Sequence, residues 1–106
     1  MSTGMSEKRK GKPHNPLSEV KKLIHQGRLL LSKRIALGAV GFTMAGVEDF
    51  LLELEQKDFH ISNEDYYDSG VWQDAYRKKQ GDGIELYVKF KISKDKVLIV
   101  TSFKKN

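Results

Sequence analysis

Apolar side chains recur along this chain at two spacings, helical in the first half and alternating in the second. Residues 15–27 begin with Asn-Pro and end with Gly, and their apolar members lie three and four positions apart, which predicts an amphipathic helix. A second helix is predicted after Thr43, a good N-cap residue. Its apolar stripe consists of Met44, Val47, Phe50, Leu51 and Leu54. Between the helices, Ser32 predicts a short helical turn that ends at Leu37, before two glycines.

The second half has the pattern of strands. Residues 84–92 alternate between apolar and polar side chains, which predicts a strand with one buried and one solvated face. Residues 71–77 alternate in part and favour a strand, and residues 97–104 predict a more continuously buried one. Helices followed by antiparallel strands are typical of the α+β class. We therefore predict N-terminal helices packed on a mostly antiparallel sheet formed by the C-terminal half.

The last hairpin determines which polar side chains share a face of the sheet. If its loop has two or four residues centred on residues 94–95, Tyr87 pairs with Ser102 and Glu85 pairs with Lys104. Cross-strand partners share a face. The predicted face carries Tyr87, Lys89, Ser102 and Lys104. Such a face can stack a base and hold a phosphate, although many sheets simply expose tyrosine and lysine to water.

Length and composition predict one small domain. The chain has 106 residues, enough for a single modest core. It has no cysteine, so we expect neither disulfides nor the usual cysteine-containing zinc sites. It has no membrane-spanning apolar run and no secretory signal, which predicts a cytoplasmic protein without a membrane partner. We expect residues 1–14, which are basic and lack apolar periodicity, to be a flexible arm, and residues 15–106 to form the domain.

Charge is distributed unevenly along the chain. Nine acidic residues and one lysine lie between Glu48 and Asp74, which gives this segment a formal charge of −8. Since the whole chain carries +5, the remaining residues carry +13. The basic parts attract a polyanion and the acidic segment repels it, so the asymmetry would also orient a nucleic acid. A solvated surface with uneven charge is the alternative interpretation.

The polar side chains allow cleavage of RNA without a metal ion. RNA carries its own nucleophile, the 2′-hydroxyl, so an enzyme has to accept its proton, protonate the leaving oxygen and stabilise charge on the phosphate. Lysine, tyrosine, histidine and glutamine can share these tasks. The acidic residues are spread along a helix and a loop without a histidine at ligand spacing, so we expect no metal site. Residues 81–83 have the pattern of a hairpin turn and not of a phosphate-binding loop, and we expect no cofactor.

Several segments of the chain carry a resemblance to a known family. They are residues 18–23, 58–59, 72–77, 87–89 and 97–104. In order and spacing they resemble the MqsR toxins over almost the whole chain, and the Trp-Gln-Asp-x-Tyr-Arg stretch is the most specific part. The resemblance implies a RelE-like α+β fold and a type II toxin, an mRNA interferase that cleaves messenger RNA at short sequences without ribosome or metal. It also implies a cognate antitoxin protein encoded beside the toxin.

The resemblance also implies a set of catalytic residues. Gln73, Tyr87 and Lys104 match the family's active-site glutamine, tyrosine and C-terminal lysine. One position departs from the pattern, because the family's lysine two residues after the Asp-Phe pair is Ile61 here. His60 is the candidate to compensate for that lysine, and a merely solvated surface histidine is the alternative. We expect Lys104, Tyr87 and His60 to share proton transfer and phosphate stabilisation, and Gln73 to orient the substrate.

The sequence also predicts two substrate-binding residues, and it leaves two alternative functions open. We expect Arg77 and Lys89 to bind phosphates of the messenger RNA. If the loss of the lysine at Ile61 abolishes catalysis, the protein is an RNA-binding or regulatory module of the same fold. Salt-sensitive RNA binding without cleavage would distinguish this module. A purely structural, partner-binding domain is the third possibility, and RNA should not affect the binding of its partner.

The face on which Gln73 lies depends on the connection between two predicted strands. A direct two-residue turn at residues 82–83 would point Gln73 away from Tyr87. A site that contains both side chains therefore predicts a longer loop, or a bulge, between residues 77 and 84.

Overall fold

The computed structural model describes residues 9–106, with side chains from Gly11 onward. The α-helices in this part are α1 (Leu17–His25), α2 (Leu37–Val40) and α3 (Met44–Leu52), followed by a 3₁₀ turn (Gln56–Asp58). The strands are β1 (Arg9–Lys10), β2 (Leu29–Leu31), β3 (Phe59–Glu64), β4 (Trp72–Lys79), β5 (Glu85–Ile92) and β6 (Leu98–Lys105). Within residues 9–106, none of the helices has the length and hydrophobicity that a membrane span requires.

The strands form one sheet in the order β1-β3-β4-β5-β6-β2. Neighbouring strands are antiparallel, except that β2 runs parallel to β6. The predicted α+β fold, with N-terminal helices on a mostly antiparallel sheet from the C-terminal half, is confirmed. Alternation does not reveal β1 and β2, which are too short, or β3, which lies in a polar stretch.

One hydrophobic core joins the helices to one face of the sheet. Its helical members include Val20, Leu23 and Ile24 of α1 and Val47, Phe50 and Leu51 of α3. The strand β5 buries Leu86, Val88, Phe90 and Ile92, as its alternation predicts. Thr43 caps α3 as predicted, because its hydroxyl accepts the N–H of Gly46 at 3.1 Å. Helical stripes and strand alternation therefore meet in the same core.

The short helix between α1 and α3 does not lie where the sequence predicts it. The predicted turn does begin at Ser32, because its hydroxyl accepts the N–H of Arg34 at 3.3 Å and its carbonyl accepts that of Ile35 at 3.1 Å. Its predicted end at Leu37 is wrong, because the helix α2 begins there and includes Gly38. The N–H of Ser32 donates to the carbonyl of Val100 at 2.8 Å, so the chain is still paired with the sheet at this residue. The helix α2 ends at Val40, and Gly41 follows it with a φ of 76°, in the left-handed region that favours glycine.

The loop of the last hairpin has three residues and not the two or four expected. Residues 94–96 form it, and Lys96 has a φ of 63°. The N–H of Ser93 donates to the carbonyl of Val97 at 2.9 Å and closes the loop. A three-residue loop that ends in the left-handed region is a common hairpin connection. It moves β6 by one residue relative to the predicted pairing.

A bulge at Thr101 moves β6 by one further residue. The predicted pairing of Tyr87 with Ser102 is therefore wrong, and so is the predicted partner of Glu85. The observed cross-strand pairs are Tyr87 with Lys104 and Lys89 with Ser102. Because two single shifts leave each side chain on its original side, the predicted common face of these four residues is confirmed.

The strands β4 and β5 pair in the register that the candidate site requires. Gln73 lies opposite Lys91, and Arg77 lies opposite Tyr87. The connection between the strands comprises residues 80–84, so the predicted longer loop is confirmed. Gln73 consequently lies on the same face as Tyr87.

A buried carboxylate ties the N-terminal segment to the sheet. Asp74 on β4 is fully buried and accepts hydrogen bonds from the backbone N–H groups of His14, at 3.1 Å, and Asn15, at 2.8 Å. The side chains of Asn15 and Ser62 donate to the same carboxylate at 3.2 and 2.5 Å. Further towards the N-terminus, β1 pairs with β3. The flexible arm stays a prediction for residues 1–8, which lie outside the described residues.

Tyr76 allows a test of how the core tolerates a buried hydroxyl. Its fully buried ring stacks on Phe90 at a centroid distance of 5.5 Å, and its hydroxyl makes no hydrogen bond within the described part of the chain. Burial and the nearby carboxylates of Asp74 and Asp58 raise the pKa of Tyr76, so the hydroxyl stays neutral. Because an unpaired buried hydroxyl costs free energy, Tyr76→Phe should keep or raise the free energy of unfolding, by about 1 kcal/mol. Denaturant unfolding measures this, and a loss of about 2 kcal/mol would show that the hydroxyl stabilises the fold.

Candidate active site

The open face is the side of β3–β6 opposite the buried side chains of β5. Cross-strand pairing orders its side chains in three rows. The first row is Arg77, Tyr87 and Lys104; the second is Ile61, Ala75, Lys89 and Ser102; the third is Asn63, Gln73, Lys91 and Ile99. The fold therefore brings five predicted site residues to one face, namely Gln73, Arg77, Tyr87, Lys89 and Lys104.

Tyr87 and Lys104 form the centre of the first row. Lys104 Nζ lies 5.4 Å from the centroid of the Tyr87 ring, within the range of a cation–π contact. Burial raises the pKa of Tyr87, and the positive charge of Arg77 offsets this rise in part. The Tyr87 hydroxyl is therefore protonated at neutral pH and can donate a proton. Arg77 Nε lies 3.7 Å from Glu85 Oε2, which holds the guanidinium beside the row.

The side-chain amide of Gln73 is held at both ends. Its Nε2 donates to Asp65 Oδ1 at 2.7 Å, and its Oε1 accepts from the hydroxyl of Thr101 at 2.6 Å. Lys91 Nζ donates to the same oxygen of Asp65 at 3.1 Å. These hydrogen bonds link the β3–β4 loop to β6 across the sheet. The orientation of the amide is consequently set by the protein itself.

Asp65 also holds the loop between β3 and β4 against the sheet. Its Oδ2 accepts the backbone N–H groups of Tyr67 and Asp68 at 3.1 and 3.0 Å. Burial alone would raise the pKa of Asp65, but the hydrogen bonds from Gln73 and Lys91 and the charge of Lys91 outweigh it and lower the pKa below the ordinary 3.8. The carboxylate is therefore charged at neutral pH and paired with Lys91.

Sequence reasoning missed Asp65, Lys91 and Thr101. In the sequence, Asp65 is only one of the acidic residues between Glu48 and Asp74, and nothing there indicates its partners on other strands. Alternation places Lys91 on the open side, yet its neighbour Gln73 follows only from the pairing of β4 with β5. The bulge places both Thr101 and Ser102 on the open side, and no local sequence pattern predicts this bulge. Long-range register was the missing information in each case.

Ile61, and not His60, takes a place in the rows of the open face. Ile61 is half-buried opposite Ala75, so the position of the missing family lysine does face the candidate site. His60 is exposed at the bulge between Phe59 and Ile61. Within the described residues, its side chain has no hydrogen bond, ion pair or ring contact with the other candidate residues. The predicted role of His60 stays a prediction.

The open face combines cations with proton donors. Lys89, Lys104 and Arg77 lie in two adjacent rows of the open face, and Tyr87 belongs to one of these rows. Preorganised positive charge of this kind stabilises a phosphate whose negative charge increases during reaction. In residues 9–106, no three His, Cys, Asp or Glu side chains form a group that could hold a metal ion. The arrangement suits an anionic, phosphate-bearing strand laid across β4–β6.

The network around Asp65 predicts a pH-dependent contribution to stability. Asp65→Asn removes the ion pair with Lys91 and should lower the free energy of unfolding at neutral pH by about 2 kcal/mol. Because folding lowers the pKa of Asp65, its stabilisation is complete above the ordinary value of 3.8 and is lost as the pH falls through the lower folded value. Urea unfolding should therefore separate the two proteins at neutral pH and not at about pH 2. If the difference in the free energy of unfolding between the wild type and Asp65→Asn persists at about pH 2, the effect does not come from the charged carboxylate.

Comparison with known proteins adds to this geometry. Residues 12–105 match the family described as "Motility quorum-sensing regulator, toxin of MqsA". The chain is also 33% identical over 94 residues to the mRNA interferase toxin MqsR of Escherichia coli (strain K12), and the match covers 87% of this chain and 93% of that protein. Both matches span nearly the whole chain.

Proposed function

Because the chain belongs to the MqsR toxin family, we propose that it is the toxin of a type II toxin–antitoxin pair and an endoribonuclease. Its substrate is messenger RNA, which it cleaves at short sequences without a ribosome and so stops translation. The observation that carries this proposal is the cross-strand pair of Tyr87 and Lys104, with Arg77 beside it and Gln73 held on the same face.

The residues of the open face can divide the steps of RNA cleavage. The 2′-hydroxyl of the ribose attacks the adjacent phosphorus, and the bond to the 5′-oxygen of the next nucleotide breaks. Tyr87 and Lys104 supply and accept the protons of these steps, and Lys104 also neutralises charge on the phosphate. The raised pKa of Tyr87 keeps its hydroxyl protonated, so the hydroxyl can donate a hydrogen bond to the phosphate. No step in this scheme passes through a metal ion.

The remaining site residues bind and orient the strand. Arg77 and Lys89 hold neighbouring phosphates, since both lie beside Tyr87 on the open face. Gln73 presents a fixed amide to the substrate. His60 is adjacent in sequence to Ile61, where the family lysine is absent, and we propose that it supplies a replacement donor from the bulge of β3.

We further propose a cytoplasmic toxin whose partner is a cognate antitoxin encoded beside it. The family description, which names a toxin of MqsA, supports such a partner. Messenger RNA is the second partner, and the cationic rows of the open face support it.

Incubation of the purified protein with a long messenger RNA, without ribosomes and in EDTA, tests the proposal. Mapped fragment ends should fall at discrete, recurring short sequences. RNA that stays intact beside correctly folded protein would contradict the proposal and favour the non-catalytic RNA-binding module. The variant Ile61→Lys would then show whether the family lysine restores cleavage.

A further inference from the structure

A groove of about 360 Å³ opens next to Lys104, between α2 and the last part of β6. We call it the side groove. Its lining includes Arg34, Ala36, Ala39, Val40, Ser102 and Lys104. Its volume lies in the range of small-molecule pockets. Because Lys104 belongs both to this lining and to the first row of the open face, the side groove borders the candidate active site.

The fold creates the side groove by ending an edge strand early. The strand β2 pairs with β6 only over residues 98–100. Beyond Val100, β6 has no strand on that side within the described residues, and α2 lies there instead. Ala36, just before α2, and Ala39 on α2 are exposed, and their small side chains leave the groove open. The opening therefore follows from the short β2 and from two alanines.

The chemistry of the lining matches a nucleotide. The walls are mostly apolar, and the exposed cations Arg34 and Lys104 are also part of the lining. A guanidinium plane can stack on a base, and an ammonium group attracts its phosphate. The hydroxyl of Ser102 makes no side-chain hydrogen bond within the described residues, so it can bind the polar edge of a base.

A second groove on the molecule provides a contrast. It lies between α3 and the β4–β5 loop and contains the carboxylates of Asp49 and Glu53 beside Lys78 and Lys79. Carboxylates repel a phosphate backbone, whereas the lining of the side groove contains none. Charge therefore favours the side groove as a place for part of an RNA strand.

We propose that the side groove binds the unpaired nucleobase next to the cleaved phosphate and so contributes to the choice of cleavage sequence. This inference rests on the proposed ribonuclease function. A nucleotide whose phosphate lies at Lys104 can direct its base past Ser102 towards Ala39, because Ser102 and Lys104 are on β6 and line the groove together. The occupant is a base of single-stranded RNA, and a segment of a protein partner is the competing occupant.

Binding of short 2′-O-methyl oligonucleotides of A, C, G or U tests the side groove without any cleavage, because the attacking hydroxyl is blocked. Ala39→Trp fills the groove, and Ala45→Trp adds the same side chain at an exposed position of α3 outside it. For the best-bound base, Ala39→Trp should weaken binding about tenfold, since base stacking and packing are lost, and Ala45→Trp should not. If Ala39→Trp binds each of the four oligonucleotides as tightly as the wild type does, the inference is overturned. If Ala39→Trp no longer binds the antitoxin but binds the oligonucleotides as the wild type does, the inference is also overturned, and the groove is assigned to a protein partner.

Cleavage mapping gives a second and independent measurement. On one long messenger RNA, Ala39→Trp and Ser102→Ala should change the relative rates of cleavage at different sequences, whereas Ala45→Trp should keep the wild-type pattern. An unchanged pattern in both groove variants would contradict the inference and leave the ribonuclease function intact. If the wild type cuts no RNA, the ribonuclease proposal fails, and the oligonucleotide affinities still decide whether the groove binds a base.

Discussion

Replacing Lys104 with alanine is expected to lower the rate of RNA cleavage by about 10²- to 10⁴-fold, the usual range for loss of a proton-transfer group. The physical reason is that Lys104 lies opposite Tyr87 on the open face and holds its ammonium group 5.4 Å from the centroid of the Tyr87 ring. The side chain is exposed, so its removal should leave the fold intact. Initial rates on one RNA that contains a mapped site measure the effect.

Lys105→Ala is the matched control for this prediction. Lys105 is exposed and adjacent in sequence, but it lies opposite Leu86, whose side chain belongs to the buried side of the sheet. Its replacement should therefore change the rate only slightly, through a small loss of general attraction for RNA. Equal losses in the two variants would show that the effect is charge alone and would contradict a specific site at Lys104.

Replacing Asp74 with alanine is expected to lower the free energy of unfolding by about 3 kcal/mol or more. Asp74 is fully buried and accepts hydrogen bonds from His14, Asn15 and Ser62. Its removal leaves these donors without their charged acceptor and releases the segment that precedes α1. Urea unfolding followed by circular dichroism measures the change.

Asp68→Ala is the control for the stability prediction. Asp68 is exposed, and its carboxylate lies 3.9 Å from Lys94 in a solvent-exposed ion pair, an interaction that contributes little to stability. The control should unfold within about 1 kcal/mol of the wild type. If Asp74→Ala unfolds as the control does, Asp74 does not anchor the N-terminal segment.

The elements of this fold could be predicted where packing follows a local period. The faces of α1 and α3, the cap at Thr43 and the alternation of β5 are properties of neighbouring residues. The structure contains them as predicted, except that Met44 at the start of α3 is exposed. The pairing of β6 could not be predicted in the same way. It depends on a left-handed residue in the last loop and on a bulge at Thr101, and neither leaves a clear signal in the sequence.

The candidate site shows the same division between local and long-range information. Tyr87 and Lys104 could be placed on one face because side chains alternate along a strand. A predicted pairing that is wrong by two residues therefore still puts each side chain on the correct side of the sheet. The contacts of Gln73 could not be foreseen, since Asp65 comes from a loop and Thr101 from a bulge on another strand. The departure at Ile61 is visible in the sequence, but only pairing with β4 shows that this position faces the site.

Attack by the 2′-hydroxyl can be tested with a short RNA that has a mapped cleavage site and a single 2′-deoxy nucleotide at the position of attack. We predict that this RNA binds as the unmodified RNA does and is not cut at that position, because the nucleophile is absent. We also predict that the unmodified RNA yields a 2′,3′-cyclic phosphate and a 5′-hydroxyl. Cleavage of the 2′-deoxy RNA at the same bond, or products with a 5′-phosphate, would contradict attack by the 2′-hydroxyl on the open face.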